Sequence, residues 1–481
     1  MKTTGSPSES VKSHAAIGRA VNNPAGPRYG RPSDRFGPPT ALFNKELALL
    51  RYDLGHLEAF TPDSVDINNA FVFTENAVEF FTDESKREAA LRPILGELLP
   101  GKNQWQMPTS GGSARPDGVW LEGSFAYLVA EVKNEPGLGG DPFLQGLLAY
   151  SKILAQDEVR SPSCHSTPLR CLAQYLPFLN RSNLPVVLLA IAGNCLVVST
   201  AIFTDSIYVD KLVSVDLHFG PHASDNVVRV ARTFIAINKC TERLRELYSN
   251  LIRSVTTVPP AKIMWPNPTV DPSEPAEGTQ ELEFFAKVDR LLGTPINRTL
   301  VDEENKRHAI YLARMRIEGG GSTTNVLVKF AVKYNAAAHL LLASHDPSLA
   351  PALYSCKRVI GDMLMVVMQY IPNSEGTSLH NISPPPSALE PIRRDLSRAL
   401  ELLHEENLVF GDLRELNVLY LPEKGRTLLI DFDGVGRDGE DRYSACLNRG
   451  TGLGVKRFQI MERLHDVENL GRLMDRLSGR L

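Results

Sequence analysis

Six prolines, Pro259, Pro260, Pro266, Pro268, Pro272 and Pro275, fall between Val258 and Thr279. Each fixes its φ and lacks an N–H, so neither one helix nor a central strand can run through this stretch. A chain of 481 residues interrupted here is therefore expected to fold as two units, residues 41–257 and 281–481, joined by a Pro-rich linker over 258–280. Residues 1–40 are rich in Ser, Pro, Gly, Lys and Arg without apolar periodicity, which predicts a disordered, mildly basic tail. The formal net charge is −4. No overall basic field advertises nucleic acid, so any DNA contact must rest on local patches. The six cysteines form no C-x-x-C pair, hence neither a zinc site nor a disulfide framework, and a reducing compartment is expected. The run Leu184–Phe203 carries no charge and is long enough to span a bilayer. Its β-branched residues and the Gly193-Asn194 pair predict two buried strands instead. No secretory signal or transmembrane helix is read, and the expected setting is cytoplasm or nucleus.

Before the linker, the pattern alternates between helix and strand. A helix is expected over 84–99, strands over 118–122 and 127–133, a helix over 142–154 and another strand over 207–215. A long helix follows, with Val227, Val230, Phe234, Ile237, Leu244, Leu247 and Leu251 at helical spacing. This is an α/β order. Within it, RPDGVWLEGSFAYLVAEVKNE puts Asp117 at the entry of one strand and Glu131 with Lys133 near the end of the next. Residues two apart on a strand share a face, so Glu131 and Lys133 point together. Two converging carboxylates suit a hard cation such as Mg2+, and a neighbouring lysine can orient a water against a phosphodiester. The bland alternative is a solvent-facing strand with a Glu–Lys ion pair.

Pro116-Asp117 followed by Glu131-Val132-Lys133 resembles the PD-(D/E)xK nuclease superfamily, which implies a restriction-endonuclease-like domain acting on DNA. The resemblance extends to Gln145 and Tyr150 on the following helix. It also implies an upstream helix carboxylate completing the metal site with Asp117 and Glu131; Glu84 and Glu88 both qualify.

The stretch LLHEENLVFGDLRELNVLYLPEKGRTLLIDFDG is the most informative in the chain. An amphipathic helix over 388–404, with Ser387 and Glu390 as a candidate capping box, precedes a loop with Asp412-x-x-x-x-Asn417. A strand then delivers Asp431-Phe432-Asp433. Phosphoryl transfer from ATP needs a carboxylate to position the acceptor hydroxyl and oxygen ligands for Mg2+ on the triphosphate. The spacing is similar to the kinase signature H-R-D-x-x-x-x-N followed by D-F-G. That resemblance implies Asp412 as base, Asn417 and Asp431 as metal ligands, and Arg414 neutralising the transferring phosphate. Upstream, NVLVKF sets Lys329 on a strand as the nucleotide lysine, and MLMVVMQYI (363–371) resembles the strand entering a kinase hinge. An α+β, two-lobed, abbreviated protein-kinase-like domain is expected, with ATP and Mg2+ as cofactors and a protein substrate.

The departures are specific. No G-x-G-x-x-G precedes Lys329, and Gly319-Gly320-Gly321 reads as a hairpin turn. The helix expected to donate a glutamate to Lys329 reads YNAAAH. Phe410 and Gly411 replace the loop His and Arg, and Asp433 replaces the last glycine of D-F-G. With 48 residues after Asp433, an abbreviated helical C-lobe is expected. A nuclease-like unit followed by such a kinase-like unit resembles Crinkler-type effector and toxin proteins and fungal-type atypical kinases, without their LxLFLAK-like translocation motif. Two alternatives stay open: a pseudokinase that holds nucleotide as a switch on a DNA-binding or DNA-cleaving domain, and a small-molecule phosphotransferase, because Gly411-Asp412 resembles the loop of aminoglycoside-type kinases.

Overall fold

The computed structural model describes residues 27–30, 35–106, 116–135, 141–154, 182–253, 265–275, 281–289, 292–296, 305–316, 323–445, 447 and 453–479, with isolated positions 15, 17 and 19. It divides into two compact units, Met1–Thr269 and Val270–Leu481.

The first unit is built on a six-stranded sheet in the order β1 to β6: β1 (Asn103–Trp105), β2 (Gly118–Glu122), β3 (Phe125–Lys133), β4 (Val186–Ala192), β5 (Cys195–Phe203) and β6 (Ile207–Asp216). All pairs are antiparallel except β3 and β4. A parallel pair needs a crossover, and α4 (Pro142–Leu154) supplies it, packing on both strands. Helices α1 (Lys45–Gly55), α2 (Ser64–Val78), α3 (Glu84–Leu98) and α5 (Ala223–Arg253) complete the unit. Val227, Val230, Phe234, Ile237 and Leu244 of α5 are buried, as their spacing predicts. Covered by helices, every residue of β3 is buried, which sets the conditions for the charged side chains it carries. The uncharged run is the β4–β5 hairpin, turning at Gly193 with φ +51°. Among the described residues no helix is long and apolar enough to cross a membrane.

The expected disordered tail needs correction at its C-terminal end. Arg28 is buried, exchanges backbone hydrogen bonds with Ile207 and Val209 of β6, and donates its guanidinium to Phe36 O at 3.1 Å. Thr40 donates N–H and Oγ1 to Asp210 at 2.6 and 2.9 Å. Polar composition concealed an edge segment held by backbone pairing. Residues 1–14, 16, 18, 20–26 and 31–34 of the tail lie outside the described residues.

The second unit carries an antiparallel sheet in the order β11-β12-β10-β9-β7-β8, formed by β7 (Leu282–Val288), β8 (Pro295–Ile296), β9 (Ile310–Arg316), β10 (Thr323–Ala331), β11 (Leu353–Val359) and β12 (Met363–Gln369). Helix α6 (Ala336–Ala343) follows β10. Beyond β12 come β13 (Thr377–Ser378), helix α7 (Pro386–Glu405), β14 (Leu408–Val409), β15 (Val418–Leu421), β16 (Arg426–Leu429), β17 (Gly436–Arg437) and α8 (Arg463–Leu477). Ile392, Leu396, Leu400 and Leu403 of α7 share a core with Phe410, Leu413, Phe432 and Leu473. The expected capping box is absent. Pro386 occupies the first helical position behind Pro385, so Ser387 is already inside the helix, and Glu390 pairs with Arg393 instead. Part of the expected linker is also docked: Val270 bridges Val359, and Asp271 N–H donates to Arg358 O at 3.0 Å.

Candidate active sites

In the second unit, three segments converge. Strand β10 presents Lys329, the turn after β14 presents Asp412, and β16 runs into Asp431-Phe432-Asp433. Lys329 Nζ lies 2.6 Å from Asp431 Oδ1 and 2.7 Å from Asp433 Oδ2. Burial works against its ammonium, but the two carboxylates outweigh that and raise its pKa. Burial and the charge of Asp431 together push Asp433 up to about 7. Asn417 donates Nδ2 to Asp412 Oδ2 at 2.7 Å and to Asp412 O at 2.9 Å, and Arg414 Nε lies 3.0 Å from Asp412 Oδ1. The backbone supports this arrangement. Gly411 sits at φ +77°, where a Cβ would fall 2.5 Å from Met461 Cε and 2.9 Å from Gly434 O.

Lys329, Asn417 and Asp431 line one cleft, enclosing about 950 Å3 that includes open solvent. Val288, Ile310, Leu327, Met368, Leu419 and Ile430 give it apolar wall, and Asp289, Gln369, Asn373 and Ser378 add polar groups. A wedge of apolar surface with convergent charged groups suits a flat heterocycle bearing phosphates. The donor set also fits a divalent cation: the Asp431 carboxylate and the Asn417 amide oxygen are hard oxygen donors lining the same cleft.

Three features here take their place only from the tertiary structure. Asp466 of α8 is fully buried and accepts the backbone N–H of Phe410 and Gly411. His339 of α6 stacks on Phe432 with centroids 4.6 Å apart, holding Tyr334 OH and Pro351 O through its ring nitrogens. Asp433 turns to Lys329; its place in the D-F-D triplet was visible, its partner was not. The Gly319-Gly320-Gly321 turn lies outside the described residues.

In the first unit the register Gly118–Ala130 between β2 and β3 sets Asp117 opposite Glu131. Asp117 Oδ2 accepts the N–H of Val132 at 2.7 Å, and Gln145 of α4 donates to Glu131 Oε2 at 2.8 Å. Lys133 Nζ pairs with Glu84 Oε1 of α3. Asp117, Glu131 and Lys133 are all buried, so the solvent-facing ion-pair reading fails. Burial pushes Asp117 up to about 6 and, with the adjacent Asp117 charge, Glu131 well above the carboxylate range. No donor reaches Glu131 Oε1, which is buried. Two buried carboxylates that each resist ionisation are a fit for a cation. Among the described residues no group of three or more His, Cys, Asp or Glu has metal-holding spacing, so that fit rests on the Asp117–Glu131 pair.

The helix carboxylates take different places from those expected. Glu84 is the partner of Lys133, while Glu88 accepts from Gln106 Nε2 at 2.9 Å; the same amide reaches Asp117 Oδ1 at 3.0 Å. Gln106 was missed, because a lone amide at a strand end carries no pattern. Tyr150 does not join the site. Five residues on from Gln145, it lies roughly 140° around the helix, and its hydroxyl donates to Leu184 O at 2.6 Å.

No family model matches the chain, and no curated protein resembles it. Among solved structures it is similar to the Cydia pomonella granulovirus kinase PK-1, at 17% identity over 35% of this chain and 64% of that one. The TM-score of 0.28 is too low to carry an argument, and the site geometry stands by itself.

Proposed function

We propose that residues 281–481 form an abbreviated protein-kinase-like domain that binds ATP with Mg2+ and transfers its terminal phosphate to a protein hydroxyl. The observation that carries this reading is the shared cleft of Lys329, Asn417 and Asp431, with Asp412 hydrogen-bonded to Asn417. Lys329 would hold the nucleotide phosphates by charge. Asn417 and Asp431 would hold Mg2+, which when bound neutralises charge developing on the phosphates. Asp412 would orient the acceptor hydroxyl and take its proton, and Arg414 would offset negative charge on the phosphate in flight.

The deciding experiment is transfer of labelled γ-phosphate from ATP with Mg2+ to the full chain and to a generic protein, with Asp412→Asn as control. Label incorporated only by the wild type supports a working kinase. Tight ATP binding without label favours the nucleotide switch or a small-molecule acceptor, and absence of both overturns the reading.

A second reading is favoured by a separate observation, the buried Asp117–Glu131 pair with Lys133 beside it. Residues 41–257 would form a PD-(D/E)xK nuclease-like domain. Asp117 and Glu131 would hold Mg2+, Glu84 and Gln145 would orient Lys133 and Glu131, and Lys133 would align the water attacking a DNA phosphodiester. The two readings in one chain make the combination found in Crinkler-type proteins.

A further inference from the structure

In kinase-like sites the nucleotide lysine pairs with a helix glutamate, which leaves the metal-binding aspartate to the cation. Here α6, the helix from which such an anion would come, reads AAAHLLLA and has no acidic side chain. Lys329 is nevertheless largely withdrawn from water, with 13% of its side chain exposed. With Asp431 drawn to the cation, an ammonium in that position is left to a further anion beside it.

We infer that Asp433 is that partner: it is the positioning residue that holds Lys329 toward the nucleotide phosphates, in place of a helix glutamate. Its Oδ2 lies 2.7 Å from Lys329 Nζ. The backbone makes the contact a built feature. Asp431 adopts φ +70° and a single helical turn spans Phe432–Gly434. Phe432 between them is fully buried against His339 and Phe410. With the central ring anchored, both flanking carboxylates reach the same ammonium. A glycine at 433, as in the usual D-F-G, would leave Lys329 with Asp431 alone. The same packing explains what α6 does here: through His339 it fixes Phe432, and so Asp433, without contributing charge.

This inference rests on the nucleotide-site reading, and the experiment separates the two. MgATP affinity is measured by calorimetry on the full chain for wild type, Asp433→Asn, Asp433→Glu, Lys329→Met and the double variant Asp433→Asn/Lys329→Met. Asp433→Asn is expected to weaken MgATP binding by about 30-fold, the low end for truncating one partner of a buried charge pair. Asp433→Glu keeps the charge and should stay within about threefold of wild type. In the double variant the loss should equal that of Lys329→Met alone, because Asp433 acts only through Lys329. A structural role would instead multiply the two losses. Multiplied losses, or Asp433→Asn binding like wild type, overturn the inference and leave the nucleotide site standing. Wild type that fails to bind MgATP overturns both.

Discussion

The carboxylate of Asp466 accepts the backbone N–H of Gly411 at 2.9 Å, across 55 residues of chain. Its other oxygen accepts from Phe410 N–H at 2.7 Å and lies 3.1 Å from His404 Nε2. The loop that carries Asp412 is thus held from below by one buried side chain of α8, beside a glycine that no larger residue could replace without clash.

Removing that support should be costly. Asp466→Ala leaves two buried N–H donors without acceptors, and a loss of about 2–3 kcal/mol is expected. Urea unfolding of the full chain should show a lowered midpoint, and phosphate transfer should fall with it. A midpoint equal to wild type would mean that the loop is held by other contacts.

Asp431 and Asp412 should separate binding from chemistry. Asp431→Ala is expected to abolish Mg2+-dependent ATP binding. Asp412→Asn should leave ATP binding within a few-fold of wild type while lowering turnover by about 10²–10⁴, the range for loss of a general base. Calorimetry with single-turnover labelling measures both; equal effects of the two variants on affinity would contradict these roles.

Lys133→Ala should remove Mg2+-dependent nicking of supercoiled plasmid DNA while the full chain keeps a cooperative urea unfolding transition. The pairing partner of Lys133, Glu84, is 42% exposed, so water can solvate it after the change. Nicking that persists unchanged would place any cleavage elsewhere.

His339 predicts a pH dependence with a definite sign. Burial lowers its pKa from 6.5 to about 4. The unfolded chain therefore takes up a proton before the folded one does. The stability this group contributes is complete above pH 6.5 and is lost as pH falls toward 4. At 1.36 kcal/mol per unit the loss approaches about 3 kcal/mol. Urea midpoints between pH 7 and 4.5 should decline less steeply in His339→Gln than in wild type. Parallel declines would exclude His339 as the source.

Much of this molecule was legible along the chain. The strand pair in the uncharged run, the buried face of α5, the limits of α4 and the cluster of Asp412, Asn417 and Asp431 follow from spacings of a few residues. Such spacings report backbone periods of 3.6 and 2, which are local properties. Two failures were local, where a neighbour altered the frame: Pro386 moved the start of α7 past Ser387, and helical rotation turned Tyr150 away from Gln145.

The sequence by itself determined which residues could do chemistry: Asp117, Glu131, Lys133 and an upstream helix glutamate in one half, and Lys329, Asp412, Arg414, Asn417 and Asp431 in the other. Only the tertiary structure decided their partners. Lys329 meets Asp431 across 102 residues, Lys133 meets Glu84 across 49, and Asp466 reaches the loop at Gly411. A charge drawn into the interior must be matched by whatever packing brings beside it. That match depends on sheet order and helix placement, which no spacing along the chain records. The anion beside Lys329 illustrates the point: the chain lacks it in α6, and the fold supplies one from Asp433.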